Sequence, residues 1–296
     1  MPAFDYHKGI HTILTTPLHD DYEIDFAGLE QNTAFGADSN AHALVVLGTQ
    51  GEFPTFSTEE RKQIIRSTVE AADGKKAVVA GTSHSNTREA LELTQYAQEV
   101  GAAGVLVTPP YFSQVTWEGV YGHFKTLSDE ADIDIWIYNA PERAGFNTTP
   151  AHLVELSELD NVVAVKQASR NIMELEQTVS LVGDRLTIFG GSEAMMWPCF
   201  ALGMVGSSTT GATFMPQYFV DMYEAAVERR WDDGAALYER LAPLRRLAAA
   251  KGHAAVVKAA SELVGLAGGP VRPPLTTPSA DELADLKSIL SDLGVL

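Results

Sequence analysis

Lys166 follows four apolar residues, Val162-Val163-Ala164-Val165, and is followed at once by Gln167, Ala168 and Ser169. A continuous β-branched run of this kind reads as a strand buried on both faces. An ammonium group at the end of such a strand has two fates. It snorkels past the strand end to solvent, or it stays desolvated and its pKa falls. A free lysine titrates at about 10.4, so at neutral pH it is almost wholly protonated. Only the neutral amine attacks a carbonyl, so a desolvated lysine suits Schiff-base chemistry. Which fate holds depends on what the other strand ends bring beside it.

Three other stretches carry suitable polar groups. The apolar residues 43–47 end in Gly48-Thr49-Gln50-Gly51-Glu52. Its glycines allow close backbone approach, so the segment is either a plain turn or a cradle whose amides near Thr49 and Gln50 hold a carboxylate. Residues 133–138 end in Tyr138. Neighbouring strands lie ~4.8 Å apart, which brings a phenol there within reach of Lys166 if the two strands pair. Arg143 stands five residues later in a proline-containing loop. It is either a solvated surface cation or the holder of a second carboxylate or a hydroxyl group.

These residues are spaced by a regular alternation of short β-rich runs and amphipathic stretches. Strands are expected over residues 10–15, 43–47, 77–80, 104–107, 133–138, 162–169, 186–189 and 204–207. Helices follow each, one of them opening on Ser57-Thr58-Glu59-Glu60, a capping-box signature. Eight such units in roughly 220 residues point to a parallel sheet with crossover helices, and eight strands close a (β/α)8 TIM barrel. An open doubly wound sheet is the alternative, but no strand leads into a Gly-x-Gly-x-x-Gly phosphate loop. Beyond residue 230 only helices are expected, over 231–250, 253–264 and 280–293. The organisation is therefore a barrel over residues 1–230 with a helical extension over 231–296 packed on it.

Bulk properties narrow the function. The chain has 296 residues, 45% hydrophobic and 20% charged, with a net charge of −18. Such acidity argues against a nucleic acid or an anionic membrane surface as partner. It leaves room for a small anionic substrate held by a local cluster of donors. The lone cysteine, Cys199, lies in an apolar setting and reads as inert. The first seven residues lack the basic region and apolar stretch of a signal peptide. No apolar run approaches the ~20 residues that span a bilayer, so a cytoplasmic location is expected. The eight histidines are scattered without ligand spacing, so no metal is expected and a metal-dependent aldolase is disfavoured. No Walker loop and no Gly-x-Ser-x-Gly elbow is present.

Five motifs fall in order at strand ends: Gly48-Thr49-Gln50-Gly51-Glu52, Thr108-Pro109-Pro110-Tyr111-Phe112, Tyr138-Asn139-Ala140-Pro141-Glu142-Arg143, Val165-Lys166-Gln167-Ala168-Ser169 and Gly190-Gly191-Ser192-Glu193. In them the chain resembles the dihydrodipicolinate synthase and N-acetylneuraminate lyase family of Schiff-base barrel enzymes. The resemblance runs nearly end to end. It implies an imine between Lys166 and a 2-oxo acid such as pyruvate, with Tyr138 as proton shuttle. Thr49 and Gln50 would bind the substrate carboxylate, and Thr49 would relay a proton to or from the phenol. Arg143 and Gly191 would face the substrate too. No cofactor is implied beyond the covalent imine, and the assembly implied is a homotetramer built from dimers.

Three departures bear on the substrate. Gln50 replaces the second threonine of the family's Gly-Thr-Thr-Gly-Glu motif. In dihydrodipicolinate synthases the second tyrosine after the fourth strand enters a neighbouring subunit's active site and joins the proton relay; here the pair is Tyr111-Phe112. Either the relay lacks that hydroxyl or Tyr111 takes its place. The stretch Val205-Gly206-Ser207-Ser208-Thr209-Thr210 offers a polar wall, with Ser207 placed to meet hydroxyls of a sugar-acid chain. Arg143 pulls the other way, since synthases use an arginine there for the second substrate's carboxylate. The reading is a Schiff-base lyase acting on pyruvate or 2-oxo acids, an aldolase or dehydratase of 2-keto-3-deoxy sugar acids. A 4-hydroxy-tetrahydrodipicolinate synthase, joining pyruvate to aspartate semialdehyde, is the alternative. A catalytically weak 2-oxo-acid-binding homologue is the alternative from another class.

Overall fold

The computed structural model describes residues 5–296, so the first four residues of the amino-terminal segment read above lie outside the described residues. Eight strands form one closed parallel barrel in sequence order. They are β1 (Gly9–Ile13), β2 (Ala43–Val46), β3 (Ala77–Gly81), β4 (Gly104–Val107), β5 (Asp134–Asn139), β6 (Val162–Gln167), β7 (Thr187–Gly190) and β8 (Gly206–Thr209). The barrel reading therefore holds. Helices follow the strands: α1 (Phe26–Asp38), α2 (Thr58–Ala72), α3 (Thr87–Glu99), α4 (Trp117–Glu130), α5 (Pro141–Ala144), α6 (Pro150–Leu156), α7 (Ile172–Val182), α8 (Met196–Ala201) and α9 (Pro216–Val227). The predicted capping box is present, with Ser57 accepting from the Glu60 amide and the Glu60 carboxylate accepting from the Ser57 amide.

Inside and outside follow the two-residue period of a strand. On β5, Trp136 and Tyr138 face the barrel axis, while Ile135 and Ile137 pack under the helices. The axis is filled by small and medium side chains such as Ala43, Val45, Ala77, Val79 and Leu106. At its lower end Tyr6, His11, Trp136 and Phe189 form an aromatic layer, with His11 4.4 Å from Phe189 and 5.1 Å from Trp136, centroid to centroid.

Two of the differences from the expected elements bear on how the barrel and its extension close. The eighth strand begins two residues later than the apolar pattern indicated, at Gly206. Its pairing decides this: Gly9 opposes Gly206, and Thr12 opposes Thr209. A Cβ at Gly206 would lie 2.5 Å from the Phe189 ring, so only glycine lets β8 close against the aromatic layer. The expected helix over 231–250 is two, α10 (Trp231–Arg240) and α11 (Ala242–Lys251), broken around Leu241, with Pro243 in the first turn of the second. A proline cannot donate the helical bond that a continuous rod needs. Two more helices follow, α12 (His253–Leu263) and α13 (Ala280–Leu293). They bury Leu244, Val256, Val257, Leu286 and Leu290 in one cluster with Phe219 and Met222 of α9. The extension is thus packed on the barrel.

Candidate active site

The centre of the site is a strand pairing. On β5 and β6, Tyr138 stands opposite Lys166 and Asn139 opposite Gln167. The register shifts lower down, so that Ile135 pairs with Val162 but Trp136 with Ala164. The extra residue, Val163, is a bulge. Bulges re-aim a strand, and this one leaves Ala164, Lys166 and Ala168 facing inward while Val165 packs under the helices. The uniform apolar run of the sequence hides that alternation.

Lys166 is buried, and its Nζ lies 4.5 Å from the centre of the Tyr138 ring. Burial pulls the Lys166 amine below the ordinary lysine range; the Tyr138 phenol opposes this, Arg143 adds to it and Glu193 opposes it. Burial alone would push Tyr138 up. The Lys166 ammonium, the Thr49 hydroxyl and Arg143 outweigh it, and the phenol ends below its usual value. Amine and phenol are therefore both moved down from their usual values, which suits acid–base work nearer neutral pH.

Thr49 sits in a 3-10 turn, Thr49–Gly51, just past β2. Its hydroxyl oxygen is 3.4 Å from the Tyr138 hydroxyl. Gln50 is buried, and its side-chain oxygen has no partner among the described residues. The turn is fixed from below by Thr16, whose hydroxyl donates to the Gly51 carbonyl at 3.0 Å. It is fixed from the side by Glu52, which adopts the left-handed conformation with φ 55°. The Glu52 carboxylate meets the Lys258 ammonium at 2.6 Å, with both side chains buried. It also accepts the Arg272 amide at 2.9 Å, while Lys258 donates to the Pro270 carbonyl at 2.7 Å. The cradle turn is thereby tied to α12 and the loop beyond it.

The ends of β5 and β6 are locked together as well. The Asn139 amide nitrogen donates to the Gln167 side chain at 2.9 Å and to the Thr148 carbonyl at 3.0 Å. Gly191 comes so close to β6 that a Cβ there would sit 3.0 Å from the Ala168 side chain. One oxygen of Glu193 accepts from the Thr210 amide and hydroxyl and the Gly211 amide, at 2.7, 2.5 and 2.8 Å.

These groups converge on one cleft of about 140 Å³. Thr49, Gln50, Tyr138, Arg143, Lys166 and Gly191 all line it, so six of the residues singled out by sequence are brought together. Tyr111 stands to one side, in a smaller adjoining hollow shared with Thr49, Tyr138 and Arg143. It packs edge-on against Phe53, 5.9 Å between centroids. Ser207 is the correction. Ser207 pairs with the outward-facing Ile10 and itself faces outward, donating to the Gly190 carbonyl at 3.1 Å. Its neighbour Ser208 pairs with the inward-facing His11 and lines the cleft in its place. Thr210 of the expected polar wall lines the cleft too, while sequence reasoning missed Arg170, Arg245 and His253. The last two come from α11 and α12, beyond the reach of any argument from strand ends. Phe112 is fully exposed, with φ 76°.

A family model described as the dihydrodipicolinate synthetase family matches residues 6–293. The chain belongs to this family. A 4-hydroxy-tetrahydrodipicolinate synthase of Methanosphaerula palustris is 37% identical over 287 residues, covering 96% of this chain and 98% of the relative. The crystal structure of the dihydrodipicolinate synthase from Aquifex aeolicus superposes with a TM-score of 0.93 at 32% identity, covering 97% of this chain and 98% of that one. The Acinetobacter baumannii dihydrodipicolinate synthase complexed with pyruvate gives a TM-score of 0.92 at 27% identity, covering 98% and 99%. With the family comes the enzyme class, a Schiff-base lyase of the class I aldolase type. Among the described residues no helix is long and apolar enough to cross a membrane.

Proposed function

We propose that Lys166 forms an imine with pyruvate and that the resulting enamine makes or breaks a carbon–carbon bond to an aldehyde. The amine adds to the keto carbon and water leaves. The protonated imine draws electrons from the adjacent methyl, which loses a proton to become an enamine. The enamine carbon attacks the aldehyde, whose oxygen takes a proton from Tyr138. Hydrolysis of the imine then frees the product and restores the amine. Thr49 relays the proton, and the amides of Thr49 and Gln50 hold the pyruvate carboxylate. Gly191 lets the substrate pass close to the backbone, and Arg143 meets the acceptor. The imine is itself the electron sink, so the scheme calls for no metal or organic cofactor. The observation that carries this reading is the in-register pair of Tyr138 and Lys166 at the floor of the cleft.

Aspartate semialdehyde is the first acceptor to assay. In its favour are the synthase name carried by the relative of Methanosphaerula palustris and Arg143 in the cleft. Cleavage or dehydration of a 2-keto-3-deoxy sugar acid is the second reading, favoured by Gln50, by the apolar Phe112 and by the polar wall of Ser208 and Thr210. The decisive experiment is reduction with borohydride in the presence of pyruvate, read by mass. An adduct on Lys166 is expected, and its absence would sink the mechanism. Imine formation without turnover of either acceptor class would mark a binding-only homologue. A homotetramer and a cytoplasmic location belong to the same proposal. The exposed Phe112 beside the site supports the assembly, and light scattering at working concentration checks it.

A further inference from the structure

On β5, Ile135, Ile137 and Asn139 share the face that packs under the helices. The first two are apolar, but the third is a fully buried carboxamide. Such a group is destabilising unless its polar atoms are bonded, and here both are. The Asn139 side-chain oxygen accepts from the Thr148 amide at 3.0 Å, and the nitrogen donates back to the Thr148 carbonyl at 3.0 Å. One side chain thus grips both backbone groups of one residue, as a neighbouring strand would. The same nitrogen donates to the Gln167 side chain at 2.9 Å and to the Asn147 side-chain oxygen at 3.0 Å, so its two hydrogens are shared among three acceptors.

The grip has a topological result. The chain leaves β5 at Asn139, turns through α5 and comes back to the Asn139 side chain at Thr148. Residues 140–147 are therefore a loop closed at its neck by that side chain. Arg143 rides on this loop, exposed, over the cleft. The Gln167 end of the network reaches the opposite wall, where the Gln167 side-chain oxygen also accepts from the Ser169 amide at 3.2 Å. Besides burial, the groups that act on the Lys166 amine are Tyr138, Arg143 and Glu193. Tyr138 and Arg143 flank Asn139 in the chain, while Glu193 is held separately through Thr210 and Gly211. Of the other charged or titratable groups of the cleft, Glu142 shares the loop, and Arg170, Arg245 and His253 enter from other segments.

We infer that Asn139 is a positioning residue for the imine chemistry, closing the neck of loop 140–147 and so holding Arg143 against the Tyr138–Lys166 pair, an inference that rests on the pyruvate-imine reading. Two readouts on the full chain need no acceptor. Deuterium uptake at the pyruvate methyl follows enamine formation, and borohydride trapping gives a pH midpoint. Asn139→Ala is expected to slow methyl exchange by roughly ten- to a hundredfold, the cost of a small misplacement. It should also move the trapping midpoint up, because a displaced Arg143 no longer lowers the lysine. In an Arg143→Gln background the same substitution should leave the midpoint where it is. A side chain that served stability alone would change neither quantity per folded molecule. Asn139→Asp keeps the shape, but only its protonated carboxyl has a hydrogen for the Thr148 carbonyl or Gln167. Its exchange rate relative to the unsubstituted protein should therefore recover as pH falls. Thermal melts check that each variant folds. If neither does, the unsubstituted protein still decides, since its Thr148 amide should be strongly protected from hydrogen exchange. Free exchange there, a full rate in Asn139→Ala, a flat ratio in Asn139→Asp, or a midpoint shift that survives in the Arg143→Gln background overturns the inference. Absence of trapping with pyruvate in the unsubstituted protein would instead bring down the reading beneath it.

Discussion

The two ends of the barrel axis both bury an ionisable side chain among aromatic rings, and they do opposite things with it. At the lower end His11 is fully enclosed. One ring nitrogen bonds to the Tyr6 carbonyl at 2.8 Å, and the ring packs against Trp136 and Phe189. Burial drives its pKa down to about 3, so it stays neutral and inert. At the upper end Lys166 is equally buried, but it opens onto a cleft and faces a phenol, a hydroxyl and an arginine. A larger groove, of about 730 Å³, also opens at the lower end, beside Val205 and Val227, yet it holds neither the lysine nor the phenol. Desolvation alone therefore does not make a site. Access and convergent polar partners do.

That contrast can be broken or sharpened by substitution. Lys166→Ala should abolish borohydride trapping with pyruvate; an adduct surviving on another lysine would erase the distinction between the two ends. Tyr138→Phe should cut kcat by about 10²–10⁴ while still trapping imine, the range that a positioned acid–base group contributes. Full activity would remove the phenol from the mechanism. Lys258→Met should cost about 3–5 kcal/mol, because it leaves Glu52 buried and unpaired, and chemical denaturation reads this directly. His11→Phe should lose about 1–3 kcal/mol for the orphaned Tyr6 carbonyl, with the trapping rate unchanged. A large fall in that rate would mean that the lower layer takes part after all. The smallest effect is a shift in pH dependence. Trapping should rise with pH to a midpoint below that of free lysine. Arg143→Gln removes a cation that lowers both Lys166 and Tyr138, so the midpoint should move up. Glu193→Gln removes an anion that raises Lys166, so it should move down.

Much of this was legible in the chain itself. The barrel followed from alternating runs, since strands buried on both faces are rich in β-branched residues and their helices carry caps. The meeting of Lys166, Tyr138 and Thr49 in one cleft was legible because all three stand at the carboxyl ends of barrel strands. The misplacement of Ser207 shows the limit. The run from Ser207 to Thr210 is polar throughout and shows no alternation, so the sequence does not tell which of two adjacent serines points inward. The bulge at Val163 is invisible for the same reason, because its neighbours are all apolar. Arg245 and His253 could not be read at all. They reach the cleft from helices whose packing on the barrel is a tertiary outcome, with no local signature.

The ion pair between Glu52 and Lys258 has a consequence for the order in which the enzyme is made. Its partners stand about two hundred residues apart, so joining them closes a very long loop. Synthesis proceeds from the amino end, and early segments collapse first. Tyr138 and Lys166 are both synthesised well before Lys258. The turn bearing Thr49 gains its anchor, and the cleft gains Arg245, only when the last helices dock. The cleft is therefore complete only when the carboxyl-terminal helices have docked on the barrel.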